Sequence, residues 1–218
     1  LSFICMISCI SLLKYIRYDR ASQIMFLINL VGMYLSGSRS AMLGFVSTGG
    51  LFFIYKADYK EYVTPAAIVG GLSLISLIAL SILDVVPLDI SGRDVLWAAS
   101  INAIFDQPLT GYGPVDISQV IIPYLSDSYY SGVGPHNSYI VPFLIGGIPL
   151  GLSYMYILVK GLEFGTFALS QTGNHIYFIF YSTLITAIFD GSTIFGISLV
   201  SVIYVLVLGY TISSIYRT

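Results

Sequence analysis

The chain has 218 residues, of which 56% are hydrophobic and 9% charged, with a mean hydropathy of +0.88 and a formal net charge of −2. That leaves too little polar surface for a soluble domain, so the composition specifies an integral membrane protein, and with no basic excess nothing points to nucleic acid as a partner. The net charge itself decides little; where the nine basic residues fall decides the topology.

Residues 1–13 form an apolar run that begins at Leu1 without a Met or a basic n-region, so it is neither a full span nor a signal peptide. The expectation is a C-terminal part of a longer polytopic protein, with residues 1–218 forming a single membrane domain. Cys5 and Cys9 lie within this run and read as small buried hydrophobes, since the partners that a disulfide framework or a zinc site would need are absent from the sequence. After the basic loop Lys14, Arg17, Arg20 come apolar runs 21–35 and 41–55, joined by Ser36-Gly37-Ser38-Arg39-Ser40 and closed by Lys56, Asp58, Lys60 and Glu61. Residues 63–83 read as a span, 84–137 as a long non-spanning segment, and 138–159 as a further span ending at Lys160, followed by a short loop with Glu163 and Gly165. Residues 174–189 and 193–213 make a last hairpin turning at Asp190-Gly191-Ser192. The fold class is therefore all-α and membrane-integral, with about seven transmembrane helices, because a segment in lipid must satisfy its own backbone hydrogen bonds.

Cytoplasmic loops near span ends accumulate Lys and Arg. Alternate threading puts Lys14, Arg17, Arg20, Lys56, Lys60, Lys160 and Arg217 on one face, which is thereby cytoplasmic, and leaves Arg39 and Arg93 outside with His136. The outer face also carries Asp84, Asp89, Asp94, Asp106, Asp116, Asp127 and Asp190. The hairpin 21–55 supplies roughly 52 Å of helix for two crossings that need about 60 Å, so its turn is expected to sit slightly inside the outer interface. An arginine at that level is costly unless it faces a polar cavity or an anion, or snorkels to the surface.

Within 84–137, Ser91-Gly-Arg93-Asp94 reads as a capping box opening a helix through Val95, Leu96, Trp97, Ile101 and Phe105. Trp97 marks it as an interfacial helix on the outer leaflet, since indole favours that level. Arg93 by itself reads as a solvated charge pairing with Asp89 or Asp94. The helix is broken by Asp106-Gln-Pro108-Leu-Thr-Gly111-Tyr-Gly113-Pro114. The segment then ends in Gly132-Val-Gly-Pro135-His136-Asn137-Ser138-Tyr139, which sets a histidine at the mouth of an apolar helix. Histidine can accept or donate a proton near neutrality; the plain alternative is that His136-Asn137 only caps the helix, with Asn137 as the N-cap.

In this order, Ser36-Gly37-Ser38-Arg39-Ser40-Ala41, Ser91-Gly92-Arg93 with Trp97, Asp106-Gln-Pro108-Leu-Thr-Gly111-Tyr-Gly113 and Pro135-His136-Asn137-Ser138-Tyr139 before Gly146-Gly147-Ile148-Pro149, the chain resembles the O-antigen ligase and polymerase superfamily from about residue 30 to 155. Arg39 to Leu43 matches the family's Arg-x-x-x-Leu pattern, and His136-Asn137 followed by Gly147 its His-Asn…Gly pattern. The departure is Leu150 where a small residue is expected, with Gly151 one further on. The resemblance implies a GT-C-like membrane glycosyltransferase that moves a glycan from an undecaprenyl-diphosphate carrier to a hydroxyl acceptor outside the plasma membrane. It implies Arg39 and Arg93 on the carrier's pyrophosphate, His136 as general base on the acceptor hydroxyl, and Asn137 and Tyr139 beside them in the substrate site. An Arg fork stays charged and binds two phosphate oxygens at once, so the two arginines can stand in for a metal; no metal and no cofactor are expected. The expected partners are the lipid-linked glycan, membrane lipid and, as candidates, other polysaccharide-assembly proteins.

The outer aspartates offer oxygen ligands, but no Asp-x-Asp pair or His/carboxylate cluster gathers them in sequence. His175 reads as a boundary residue on the cytoplasmic side, and Asp190 as a turn former before Gly191. The competing class is a flippase or secondary transporter, which usually carries ionisable residues inside spans and repeated halves with broken helices; no span interior here carries Asp, Glu, Lys or Arg, and no repeat is visible. A structural membrane subunit is the third class. Between polymerase and ligase, an Ile-, Tyr- and Phe-rich composition poor in Ala and Arg suggests an AT-rich bacterial genome and leans toward capsule or exopolysaccharide polymerisation.

Overall fold

The computed structural model describes residues 2–13, 15, 18–56, 66, 69–70, 73, 76, 92–126, 128–172, 177–190, 202, 205–206, 209 and 213. Its helices are α1 (Ser2–Leu12), α2 (Arg20–Leu35), α3 (Arg39–Lys56), α4 (Arg93–Asp106), the short α5 (Ile117–Ile121), α6 (Ile140–Thr172) and α7 (Phe178–Ala187), with 3-10 turns at Ile122–Tyr124 and Ser128–Tyr130. No strand occurs among the described residues, as expected for an all-α chain. Among the described residues one helix, over Ile140–Leu169, is long and apolar enough to cross a membrane. The expected spans 63–83 and 193–213, along with Asp84, Asp89, Asp127 and His175, lie wholly or mostly outside the described residues.

The chain divides into two compact units. The first comprises Leu1–Ile68, Lys160–Thr186 and Ile194–Thr218. Here α1 packs on α2 and α3 through positions where a small side chain is required. Gly44 of α3 faces Met6 and Thr186 so closely that an added Cβ would come within 2.9 Å of the Met6 sulfur; Ala41 and Thr48 continue this buried face, the small-residue packing by which apolar helices approach without a hydrophobic driving force in lipid. Cys5 and Cys9 are free and buried, as the sequence indicated. Phe52 and Tyr55 set their ring edges against Phe178 of α7. The hairpin closes where expected: Asp19 caps α2 through the backbone N–H groups of Ala21 and Ser22, Gly37 turns the chain at φ 65°, and the Ser38 hydroxyl accepts from Ala41 N at the start of α3. With 16 residues α2 rises only about 24 Å, and its flank of Ile24, Leu27, Ile28, Val31 and Leu35 is exposed, the pattern of a lipid-facing helix.

The loop expected after Lys160 is absent. Lys160, Glu163 and Gly165 are interior residues of α6, which runs on to Thr172, and Lys160 Nζ meets Glu163 Oε2 at 2.6 Å one turn apart. An i,i+3 pair of opposite sign supports helix, so charges that end an apolar window do not end the helix.

The second unit comprises Val69–Val159 and Ala187–Thr193. Its core gathers Leu96, Ala99 and Ala103 of α4, Ile121 of α5 and Leu144 of α6, ringed by Ile104, Tyr112, Ile117, Val120, Tyr124 and Val133. Two expectations for α4 are corrected. Its N-cap is Gly92 in the left-handed conformation, one residue past the expected Ser91, which itself lies outside the described residues. Trp97 is 1% exposed and is a core residue: its ring and N–H are satisfied inside the protein, which removes the ground for reading α4 as an interfacial helix.

α6 is interrupted near its start. Gly146 (φ −130°, ψ 24°) and Gly147 (φ 65°, ψ −167°) leave helical geometry, and Pro149 follows in the first turn of the restarted helix, where a missing N–H costs nothing. The main-chain groups freed by the break are taken up by the loop after α4: Tyr112 N donates to Leu144 O and Gly113 N to Ile145 O, each at 2.8 Å, while Ile148 N donates to Pro108 O at 2.7 Å. The Asp106–Gly113 motif is thus the splint of a broken helix. Leu150 stands where the family pattern has a small residue; one position further on, a Cβ added at Gly151 would run into the Phe143 ring, so one turn past the break the helix still requires no side chain there.

Candidate functional site

The site is assembled where the chain enters α6. Asn137 Oδ1 accepts from Tyr139 N at 2.9 Å and Ile140 N at 3.2 Å, and Asn137 O accepts from Ile140 N and Val141 N. Asn137 is therefore the N-cap, buried at 7% exposure. The residue before it, His136, has φ 45°, the one left-handed non-glycine residue among those described. That conformation costs a β-carbon-bearing residue roughly 1–2 kcal/mol, and strain of this kind collects where surrounding contacts hold a side chain in a working position.

Those contacts come from two directions. Trp97 Nε1 donates to Pro135 O at 2.7 Å in a buried bond, and the same indole lies on Phe189, ring centroids 6.0 Å apart at 39°. Ser138 N donates to Ala187 O at 2.9 Å and Ser138 Oγ to Asp190 O at 2.7 Å. Residues 135–138 and 187–190 are thereby tied to each other and to α4. Arg93 sits one turn from Trp97 on that helix, its guanidinium carbon 5.8 Å from the centre of the Phe189 ring, a separation suited to cation–π attraction.

His136 is exposed and opens on a cavity of about 550 Å³ lined by Asp116, Ile117, Ser118, Gly132, Gly134, Pro135, Val141 and Asp190. Nothing stands within 4 Å of a Cβ added at Gly132 or Gly134, and Asp116, Ser118 and Asp190 are the polar residues of the lining besides His136. Asp116 Oδ1 also accepts from Ser118 N at 3.0 Å and Ser118 Oγ at 2.8 Å, which caps α5. Although Asp116, His136 and Asp190 share the cavity, no group of three His, Cys, Asp or Glu side chains among the described residues is close enough to hold a metal ion.

The splint loop is pinned to α4 by a chain of hydroxyls: Tyr112 Oη bonds Ala103 O and Tyr124 Oη, and Tyr124 Oη donates to Asp106 Oδ2 at 2.7 Å. The bond with Tyr112 and then the Asp106 carboxylate hold the Tyr124 phenol well above its usual pKa.

Of the residues singled out in the sequence, His136 and Asn137 are adjacent on the α6 entry, Tyr139 is half-buried just inside it, and Arg93 reaches the same neighbourhood through Phe189. Arg39, exposed at the first position of α3, belongs to the first unit. The sequence reading missed Asp116 and Ser118 as cavity residues and treated Asp190 as a turn former. Nothing local distinguishes Asp190 from any aspartate before a glycine; its part in the cavity wall comes from the Ser138 tie.

Compared with known proteins, residues 24–155 match the family model described as O-antigen ligase. Neither the curated proteins nor the solved structures provide a match.

Proposed function

Because the chain belongs to the O-antigen ligase family, we propose that it polymerises undecaprenyl-diphosphate-linked oligosaccharide repeat units at the extracytoplasmic face of the plasma membrane. Membership itself carries the coarser statement: a membrane protein with glycosyltransferase activity of the O-antigen ligase or polymerase type. The observation that supports a reaction centre is His136, held at φ 45° over a cavity that Asp116 and Asp190 help to line.

In the proposed reaction the acceptor sugar's hydroxyl oxygen attacks the anomeric carbon of the lipid-linked donor. The bond from that carbon to the pyrophosphate oxygen breaks, and the hydroxyl proton passes to His136 Nδ1 or Nε2. The departing undecaprenyl diphosphate gains negative charge, which Arg93 and Arg39 offset; guanidinium forks are matched to phosphate oxygens and are charged at every working pH. Asn137 and Tyr139 complete the substrate site. On this reading the reaction proceeds without a metal, and turnover persists in the presence of a chelator.

The test replaces the chromosomal copy in the host with His136→Ala and scores surface polysaccharide length beside lipid-linked intermediates, with the membrane abundance of the protein checked. Loss of long glycan with accumulation of single lipid-linked units supports the polymerase. Full-length glycan stranded on its lipid carrier assigns a ligase instead, and an unchanged profile overturns the catalytic role of His136.

A further inference from the structure

We infer that Trp97 is a positioning residue for the reaction: its indole N–H sets the peptide that carries His136, and its ring sets the segment that carries Asp190. The inference rests on the reading of His136 as the base. Pro135 O and the amide N–H of His136 belong to one rigid peptide plane. A hydrogen bond to that oxygen fixes the tilt of the plane, and with it ψ of Pro135 and φ of His136. Trp97 Nε1 makes that bond at 2.7 Å, inside the protein, where the alternative is an unsatisfied indole and an unsatisfied carbonyl. Without it a residue at φ 45° has a lower-energy basin at negative φ to fall into, which would swing the imidazole off the cavity.

The same indole rests on Phe189, and the next residue, Asp190, is a wall of that cavity. One side chain therefore sets both sides of the opening, and α4, which brings it there, also carries Arg93 to within 5.8 Å of the centre of the Phe189 ring. Ser138 closes the frame through Ala187 O and Asp190 O. Displacement of a reacting group by an ångström costs on the order of 10²-fold in rate, so a residue that touches no substrate can govern turnover through this frame.

The test uses the full chain in nanodiscs with lipid-linked repeat units extracted from the host. Trp97→Phe keeps a ring against Phe189 and deletes the N–H; Ser100→Ala, which removes a buried hydroxyl bonded within α4 to Leu96 O, controls for a general loosening of the helix. Trp97→Phe is expected to lower kcat at least about tenfold with KM within about twofold, while Ser100→Ala stays near wild type. Added to His136→Ala it should cost nothing further, since Trp97 acts through His136. Full kcat in Trp97→Phe overturns the inference, as does an equal loss on top of His136→Ala. If Trp97→Phe does not fold, 3-benzothienylalanine at position 97 preserves the bicyclic shape and exchanges the N–H for sulfur, and the same two outcomes are read from it. An inert His136→Ala would instead overturn the proposed function, so the two failures are separable.

Discussion

Gly111 and Gly147 lie backbone to backbone: a Cβ on Gly111 would stand 2.6 Å from Gly147 N and from Ile145 O, and a Cβ on Gly147 would stand 2.6 Å from Pro108 O. Both have positive φ, 60° and 65°, so each is a glycine for two reasons, conformation and space. The contact is what lets the Pro108–Gly113 loop reach the interrupted turn of α6 and satisfy its carbonyls.

Gly111→Ala and Gly147→Ala are each expected to cost several kcal/mol, because the clash is with backbone that has no rotamer to yield. Gly113→Ala is the contrast: its φ is 77°, but nothing stands within 4 Å of the added carbon, so only the left-handed penalty of about 1 kcal/mol remains. Thermal unfolding in detergent, with membrane abundance as a second readout, separates the two classes. Equal effects at the three positions would show that the close approach does not hold the break.

His136 is where stability and activity should part. His136→Gly removes the left-handed penalty and is expected to raise stability by about 1 kcal/mol while abolishing the proposed glycan transfer. His136→Asn, whose side chain tolerates positive φ, should retain wild-type stability and also be inactive. A stable, active glycine variant would show that the backbone geometry serves the turn alone.

Asn137 separates capping from substrate binding. Asn137→Asp and Asn137→Ser keep an oxygen for the N–H groups of Tyr139 and Ile140, so their melting temperatures should lie close to wild type, whereas Asn137→Ala loses about 1 kcal/mol. If Asn137 also meets substrate, as proposed, the two cap-preserving variants raise KM for the lipid-linked unit without losing stability. Unaltered kinetics in both would confine the residue to the cap.

The phenol chain fixes the sign of one pH effect. The bond with Tyr112, and after it the Asp106 carboxylate, raise the Tyr124 pKa in the folded protein above its ordinary 10.0. A group raised on folding contributes stability that is fully present below its unfolded pKa and is lost as pH climbs toward the folded one. Melting temperature should therefore fall as pH rises above about 10, and Tyr124→Phe should melt lower at neutral pH with a shallower decline on the alkaline side. A parallel decline in both proteins would remove Tyr124 as its source.

Much of the chain is legible as local chemistry. The hairpin α2–α3 falls where two apolar runs flank a Gly/Ser turn, because glycine takes φ 65° at Gly37 and Ser38 supplies the oxygen that starts the next helix. Asn137 as an N-cap is legible for the same reason, since a cap needs only the two or three residues that follow it. The family resemblance also rests on short motifs in order, and the matched residues 24–155 cover the whole stretch on which those motifs lie.

The tertiary structure decided what those motifs are for. Indole is at home both at a lipid interface and in a core, and for Trp97 the choice depends on Pro135 and Phe189, which are far along the chain. Lys160 and Glu163 closed an apolar window, yet pair across one helical turn, because charge ends hydrophobicity without ending helix. The two glycines of α6 were plain in the sequence, but a break there is tolerable only because Tyr112, Gly113 and Pro108 supply the missing backbone partners. Asp190 became a cavity residue through the hydroxyl of Ser138. In this protein the sequence by itself determined composition, caps and turns, which depend on neighbours a few bonds away. The folded chain decided which distant backbone groups satisfy one another, since a polar group hidden from water must find its partner wherever the fold brings one.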